Sequence, residues 1–212
     1  MIEETRQTLW QRFINLSLEK KVGCIIDVGA LCVGKSLKHE IVPWIAMHEL
    51  FDSEKYRGIS FCDEFGKWQI FDIEGKFFID RGTTIPDHQT FVIFDEARTR
   101  GADLKMDSSV VAALSLGTQL TKDKLMQAAG RLRKLGRNQS LIIMATHEVL
   151  STLPSFPKEC EEISEKLKNT SRKSVANLII AWCLKNSNND NENLLLQYSN
   201  LGWKHTYSKI KN

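Results

Sequence analysis

Three stretches of this 212-residue chain place reactive side chains at spacings that chemistry uses. The first is Gly29-Ala30-Leu31-Cys32-Val33-Gly34-Lys35-Ser36, which fits the pattern G-x-x-x-x-G-K-[ST] letter for letter. In such a loop the glycines let backbone amides wrap a phosphate, the lysine neutralises it and the hydroxyl holds magnesium. The context agrees, with an apolar strand before the loop and a helical pattern after it. Two features oppose the reading: Leu31-Cys32-Val33 is bulky for close backbone approach, and Pro43 falls within the helix that should hold the phosphate. The second stretch is Phe91-Val92-Ile93-Phe94-Asp95-Glu96. An apolar strand that delivers an aspartate and then a glutamate to its C-terminal end is how NTPases set a magnesium carboxylate beside a water-activating one. Together the two stretches define one reading, a self-contained phosphate-loop ATPase that binds ATP and magnesium through Gly34, Lys35, Ser36, Asp95 and Glu96.

The third stretch is Thr99-Arg100-Gly101-Ala102-Asp103-Leu104, followed by Gln127-Ala128-Ala129-Gly130-Arg131-Leu132-Arg133-Lys134-Leu135-Gly136-Arg137. Arg-Gly-x-Asp after a buried strand, then Gln-x-x-Gly-Arg on a helix, resembles the fifth and sixth motifs of superfamily 2 helicases and of the SecA preprotein-translocase ATPase. The resemblance implies a second RecA-like lobe, in which the aspartate couples nucleotide to lobe movement and helix arginines reach the γ-phosphate as fingers. Asp103, Arg131 and Arg133 are then the expected nucleotide contacts. Arg131 matches the first finger. The second finger position holds Lys134, a point charge without the planar fork of arginine. In those relatives the Asp-Glu strand and the Arg-Gly-x-Asp loop belong to different lobes, whereas here Asp95 and Arg100 share one strand exit. The ATPase and second-lobe readings therefore exclude each other.

A longer resemblance runs from about residue 24 to residue 149. Ile26-Asp27-Val28-Gly29-Ala30-Leu31, the run from Phe91 to Lys105, Leu114-Ser115-Leu116-Gly117 and the run from Leu120 to Gly136 are similar to the helicase-like C-terminal region of very large eukaryotic proteins filed with OTU-type ubiquitin thioesterases. This resemblance implies a fragment of a cysteine-type deubiquitinase, in which a thiolate attacks an isopeptide carbonyl with a histidine as base. It further implies ubiquitin or ubiquitinated proteins as partners, and other lobes of the same long polypeptide as neighbours. Any ATP and magnesium would be shared with a missing first lobe. Cys24, Cys32 and His147 are joined by no local signature, so no catalytic residue is assigned and the reactive cysteine is expected outside this chain. A third reading is a non-catalytic lobe that docks partners.

Composition bounds these readings. With 29 Lys+Arg against 26 Asp+Glu, 42% hydrophobic residues, 12 Gly and 4 Pro, the chain is neither disordered nor collagen-like. No apolar run approaches the roughly 18 residues of a membrane span, so no membrane partner is expected. The start Met1-Ile2-Glu3-Glu4 lacks the basic and apolar regions of a secretory signal, which points to the cytosol or nucleus. Five cysteines without a C-x-x-C pair signal neither a disulfide framework nor a zinc site, and no metal ligands are assigned. Charge is segregated: residues 40–80 hold nine acids and four bases, residues 98–137 nine bases and three acids. One strongly positive face would suit nucleotide phosphate or nucleic acid.

The elements that must position these residues follow from periodicity. Leu9, Trp10, Phe13, Ile14 and Leu16 predict an amphipathic helix within 1–20. Buried strands are expected at 22–28, 91–94, 110–116 and 141–145, and a strand–turn–strand unit at 57–62 and 67–73 with a third strand at 77–79. Helices are expected over 36–50, bent or ended by Pro43, and over 121–135, capped by Thr121 and stopped by Gly136. Beyond residue 154, helical segments near 157–168 and 172–185 give way to a polar stretch at 186–193 leading into a mobile end. Strands alternating with helices imply an α/β fold: a RecA-like lobe with a mostly parallel central sheet flanked by helices, plus a helical C-terminal appendage. The expected divisions are 1–20, 21–150 and 151–212.

Overall fold

A computed structural model describes residues 8–96, 103–153 and 171–210. Seven strands form one sheet: β1 (Cys24–Ile26), β2 (Gly58–Cys62), β3 (Trp68–Asp72), β4 (Phe77–Asp80), β5 (Thr90–Phe94), β6 (Val111–Leu116) and β7 (Ser140–Ala145), in the order β4-β3-β2-β5-β1-β6-β7. The pairs β2–β5, β5–β1, β1–β6 and β6–β7 are parallel, while β3 and β4 extend one edge as an antiparallel meander. The antiparallel part follows from its short turns. After β2, Asp63 Oδ1 accepts the N–H groups of Phe65 and Lys67, and Gly66 supplies the left-handed residue at φ +82°.

The central strands read as unbroken apolar runs because both their faces are covered, and β1 and β5 are buried at every position. On one face Ile25, Ile59, Phe61, Phe91 and Ile93 pack in a single core cluster with Trp10, Phe13, Ile14 and Leu18 of α1 (Leu9–Glu19). Ile41, Val42 and Ile45 join the same cluster. Each such side chain contributes about 1.5–3 kcal/mol on burial. On the other face Cys24, Ile26, Val92 and Phe94 are equally buried. The architecture is α/β with a mostly parallel sheet flanked by helices and a C-terminal helix, consistent with a RecA-like lobe.

Several elements depart from expectation for identifiable reasons. Instead of one helix over 36–50, a π-helical turn (Leu37–Ile41) runs into α2 (Val42–Ala46). The wider turn, with Ile41 N–H donating to Ser36 O, leaves Pro43 in the first turn of α2, where its missing donor forfeits no bond. The helix expected to reach residue 135 is α3 (Lys122–Ala129), ending at Gly130. Beyond it the chain turns, and Gln139 folds back so that its Oε1 accepts the Lys134 N–H at 2.9 Å. Arg131 and Arg133 thus stand on turns, not on a helix. β7 is an edge strand and half-buried, not a fully buried one.

α4 (His147–Thr152) follows β7, and α5 (Arg172–Ile210) continues straight through the polar stretch at 186–193 where a break was expected. Asparagine and serine lower helix stability only by fractions of a kcal/mol each. Two of them are also anchored: Asn186 Nδ2 donates to Leu120 O at 3.0 Å and Ser187 Oγ accepts the Lys122 N–H at 3.0 Å. The chain divides into two compact units, residues 1–118 with 126–146 and residues 119–125 with 147–212. The segment expected near 157–168, and Arg98, Thr99, Arg100, Gly101 and Ala102 of the Arg-Gly-x-Asp stretch, lie outside the described residues. Among the described residues no helix is long and apolar enough to cross a membrane.

Candidate functional site

β1, β5 and β2 are adjacent and parallel, so the segments that follow them leave the sheet on one edge, the carboxyl edge where open α/β sheets hold ligands. A depression of about 270 Å³ lies there, bounded by Lys35, Ser36, Cys62, Asp63, Glu64 and Asp95. Two stretches far apart in sequence are therefore brought together: Lys35 and Ser36 face the same space as Asp95, with Gly34 and Glu96 next in chain. Gly34 has φ +80°, and a Cβ there would meet nothing within 4 Å, so this glycine serves backbone conformation alone.

The amides that a phosphate loop would offer are already engaged. Asp27, at the exit of β1 and 1% exposed, accepts the N–H of Leu31 at 3.0 Å, the N–H of Cys32 at 2.8 Å and the hydroxyl of Ser115 at 2.6 Å. Ser115 Oγ in turn accepts the Gly29 N–H at 2.8 Å. The Ser36 hydroxyl, which would hold magnesium, accepts the His39 N–H as a cap of the π-helical turn. Lys35 pairs with Glu40 at 2.9 Å, and its hydrogen bond holds the Glu40 carboxyl below the ordinary range. Among the described residues the depression carries three carboxylates against that one paired lysine. This donor set does not fit a nucleotide phosphate.

Asp27 and Ser115 escaped the reading of the sequence. The available signal was a buried-type strand ending in Asp two residues before a glycine, but the partner lies 88 residues away.

Three buried thiols, Cys24 at the start of β1, Cys32 in the loop after it and Cys183 on α5, are unsuited to nucleophilic work. Burial pushes the Cys24 thiol far up, and burial together with the Asp27 and Asp95 charges does the same to Cys32. Burial likewise pushes Cys183 up to about 11. A nucleophile needs the thiolate, which these environments disfavour at neutral pH. Among the described residues no group of three or more His, Cys, Asp or Glu is placed to hold a metal ion.

Asp103, Arg131 and Arg133 do come together, but elsewhere. The 131–139 segment feeds β7 at its amino end, opposite the edge that bears Lys35 and Asp95. Arg133 Nη2 stands 3.5 Å from Asp103 Oδ1, and with both side chains largely exposed, 66% and 76%, the pair adds little stability. Arg131 is more buried, and burial and then the Arg133 charge lower its pKa while Asp103 opposes them.

The Asp103 backbone is pinned by a stronger device. Arg81 grips Asp87 with two bonds of 2.9 and 2.6 Å, donates to Asp103 O at 2.7 Å, and Asp87 also accepts the Lys105 N–H at 3.1 Å. The Arg81 hydrogen bond lowers the Asp87 pKa. The clamp therefore stabilises the fold above the unfolded carboxyl value, near 4, and is lost as pH falls through the lower folded value. Arg81→Ala is expected to cost about 2 kcal/mol at neutral pH. It should also flatten the acid limb of the stability curve, which urea melts at stepped pH would measure.

Fold and site define an α/β lobe, consistent with a RecA-like lobe, whose strand-exit loop is closed on a carboxylate of its own. The chain matches no family model, no curated protein and no solved structure.

Proposed function

We propose that this chain is a RecA-like lobe that holds no nucleotide of its own and works as a docking part of a larger polypeptide of the ubiquitin-thioesterase class. It presents Asp103, Arg131 and Arg133 to a pocket completed by a neighbouring lobe. The observation that carries this reading is the engagement of the loop's amides: Asp27 accepts the Leu31 and Cys32 N–H groups, the Lys35 N–H donates to Cys32 O and the Ser36 N–H to Glu40 Oε1. The thioesterase class rests on the sequence resemblance, and the raised Cys24 and Cys32 thiols agree with a reactive cysteine placed elsewhere.

The competing ATPase reading is favoured by one observation, the shared depression of Lys35, Ser36 and Asp95. Calorimetric titration with magnesium and ATP separates the two. The expected result is no saturable binding by the chain, and a Lys35→Ala variant that unfolds at the same urea concentration, since an exposed pair adds little. Magnesium-dependent binding that disappears in Lys35→Ala or Asp95→Asn would establish the ATPase instead. A ubiquitin-derived thiol probe is expected to leave the chain unlabelled, and labelling lost in Cys32→Ser would overturn the placement of the reactive thiol.

A further inference from the structure

We infer that the 27–34 loop is an oxyanion cradle whose ligand is tethered: the Asp27 carboxylate occupies the place of a free, carboxylate-sized anion and holds the site shut. The inference rests on the reading that the loop binds no nucleotide, and names the ligand chemistry of the same loop. Three donors converge on the Asp27 carboxylate from two strand exits. Leu31 and Cys32 give successive backbone N–H groups, the arrangement by which loops bind anions, and Ser115 adds its hydroxyl while passing on the Gly29 N–H. Ala30 takes φ +57°, a left-handed angle that a non-glycine residue adopts rarely and that helps turn the two following amides inward.

A simple turn aspartate looks different in the same molecule. Asp63 accepts amides two and four residues on, within its own hairpin, and among the described residues receives nothing from a distant strand. Asp27 reaches four and five residues on and is bound across the sheet from β6. A carboxylate buried this deeply persists only because those donors replace water. The donors belong to the backbone and to Ser115, so shortening residue 27 leaves them in place around a hole of carboxylate size.

The test is chemical rescue of Asp27→Gly by formate, followed by urea unfolding, with formamide as the neutral isostere and chloride as the ionic control. The expected result is a lowered midpoint that formate raises saturably, as a ligand of the native state must, while formamide and chloride do not. The wild-type chain should be indifferent to formate. Asp27→Asn, which fills the hole, should be destabilised and equally indifferent. A folded Asp27→Gly chain that responds to formate no more than to chloride overturns the inference. Where Asp27→Gly does not fold alone, refolding yield against formate is the readout, and no recovery while Asp27→Asn folds also overturns it. ATP binding by the wild-type chain would sink the proposed function, yet rescue of the variant would still stand.

Discussion

Gly29→Ala is expected to lower stability by about 3 kcal/mol, seen as a reduced urea midpoint with an unchanged slope. A Cβ at this position would lie 2.7 Å from Leu116 O, 2.8 Å from Leu116 C and 2.9 Å from Ser115 Oγ. Two of those atoms are backbone at the exit of β6, a strand paired on both sides with β1 and β7, so neither can rotate aside. The contact is reciprocal, since a Cβ at Gly117 would lie 3.1 Å from Gly29 Cα. These two glycines close the crevice between β1 and β6, where the strand order turns from β2 on one side to β7 on the other and α/β folds otherwise admit ligands. The control is Gly34→Ala, which meets nothing within 4 Å and carries only its φ of +80°, a penalty of about 1 kcal/mol. The phosphate-loop pattern weights the two glycines alike, whereas the packing separates them. Equal midpoints for the two variants would show that the crevice is looser than these distances require.

That contrast illustrates what the sequence could and could not carry. The strands were legible because burial on both faces leaves an apolar run, as at Phe91–Phe94, and the β2–β3 hairpin because Glu64-Phe65-Gly66 is a turn by composition. The end of α3 was not, because a glycine inside a helical pattern is tolerated often enough that Gly130 reads as an interruption, and the back-bonding of Gln139 that stabilises the turn is invisible locally. α5 ran longer than expected because its polar residues are held by Leu120 O and the Lys122 amide, partners more than sixty residues distant. The meeting of Lys35 with Asp95 was legible as two strand exits of one sheet. The state of the loop between them was not, because it turns on Asp27 and Ser115, neither of which belongs to the G-x-x-x-x-G-K-S pattern.

Asp27→Asn is expected to cost about 3 kcal/mol, although it changes neither size nor shape. A carboxylate accepts at both oxygens, and here Oδ1 serves the Leu31 N–H and the Ser115 hydroxyl while Oδ2 serves the Cys32 N–H. The carboxamide keeps one acceptor and turns an NH₂ group toward a donor, so whichever way it is oriented a buried N–H or O–H loses its partner. Ser115→Ala should cost less, about 1.5 kcal/mol, since it removes one donor to Asp27 and the acceptor of the Gly29 N–H. The decisive measurement is the double variant. If Asp27 and Ser115 act as one network, the combined loss should fall short of the sum by about 1 kcal/mol or more, because each single change already spoils the bond they share. Strict additivity would mean that Ser115 merely caps Gly29 and that Asp27 is held by its own loop alone. In that case the donors do not form one cradle, and a free anion would find too few of them to replace the carboxylate.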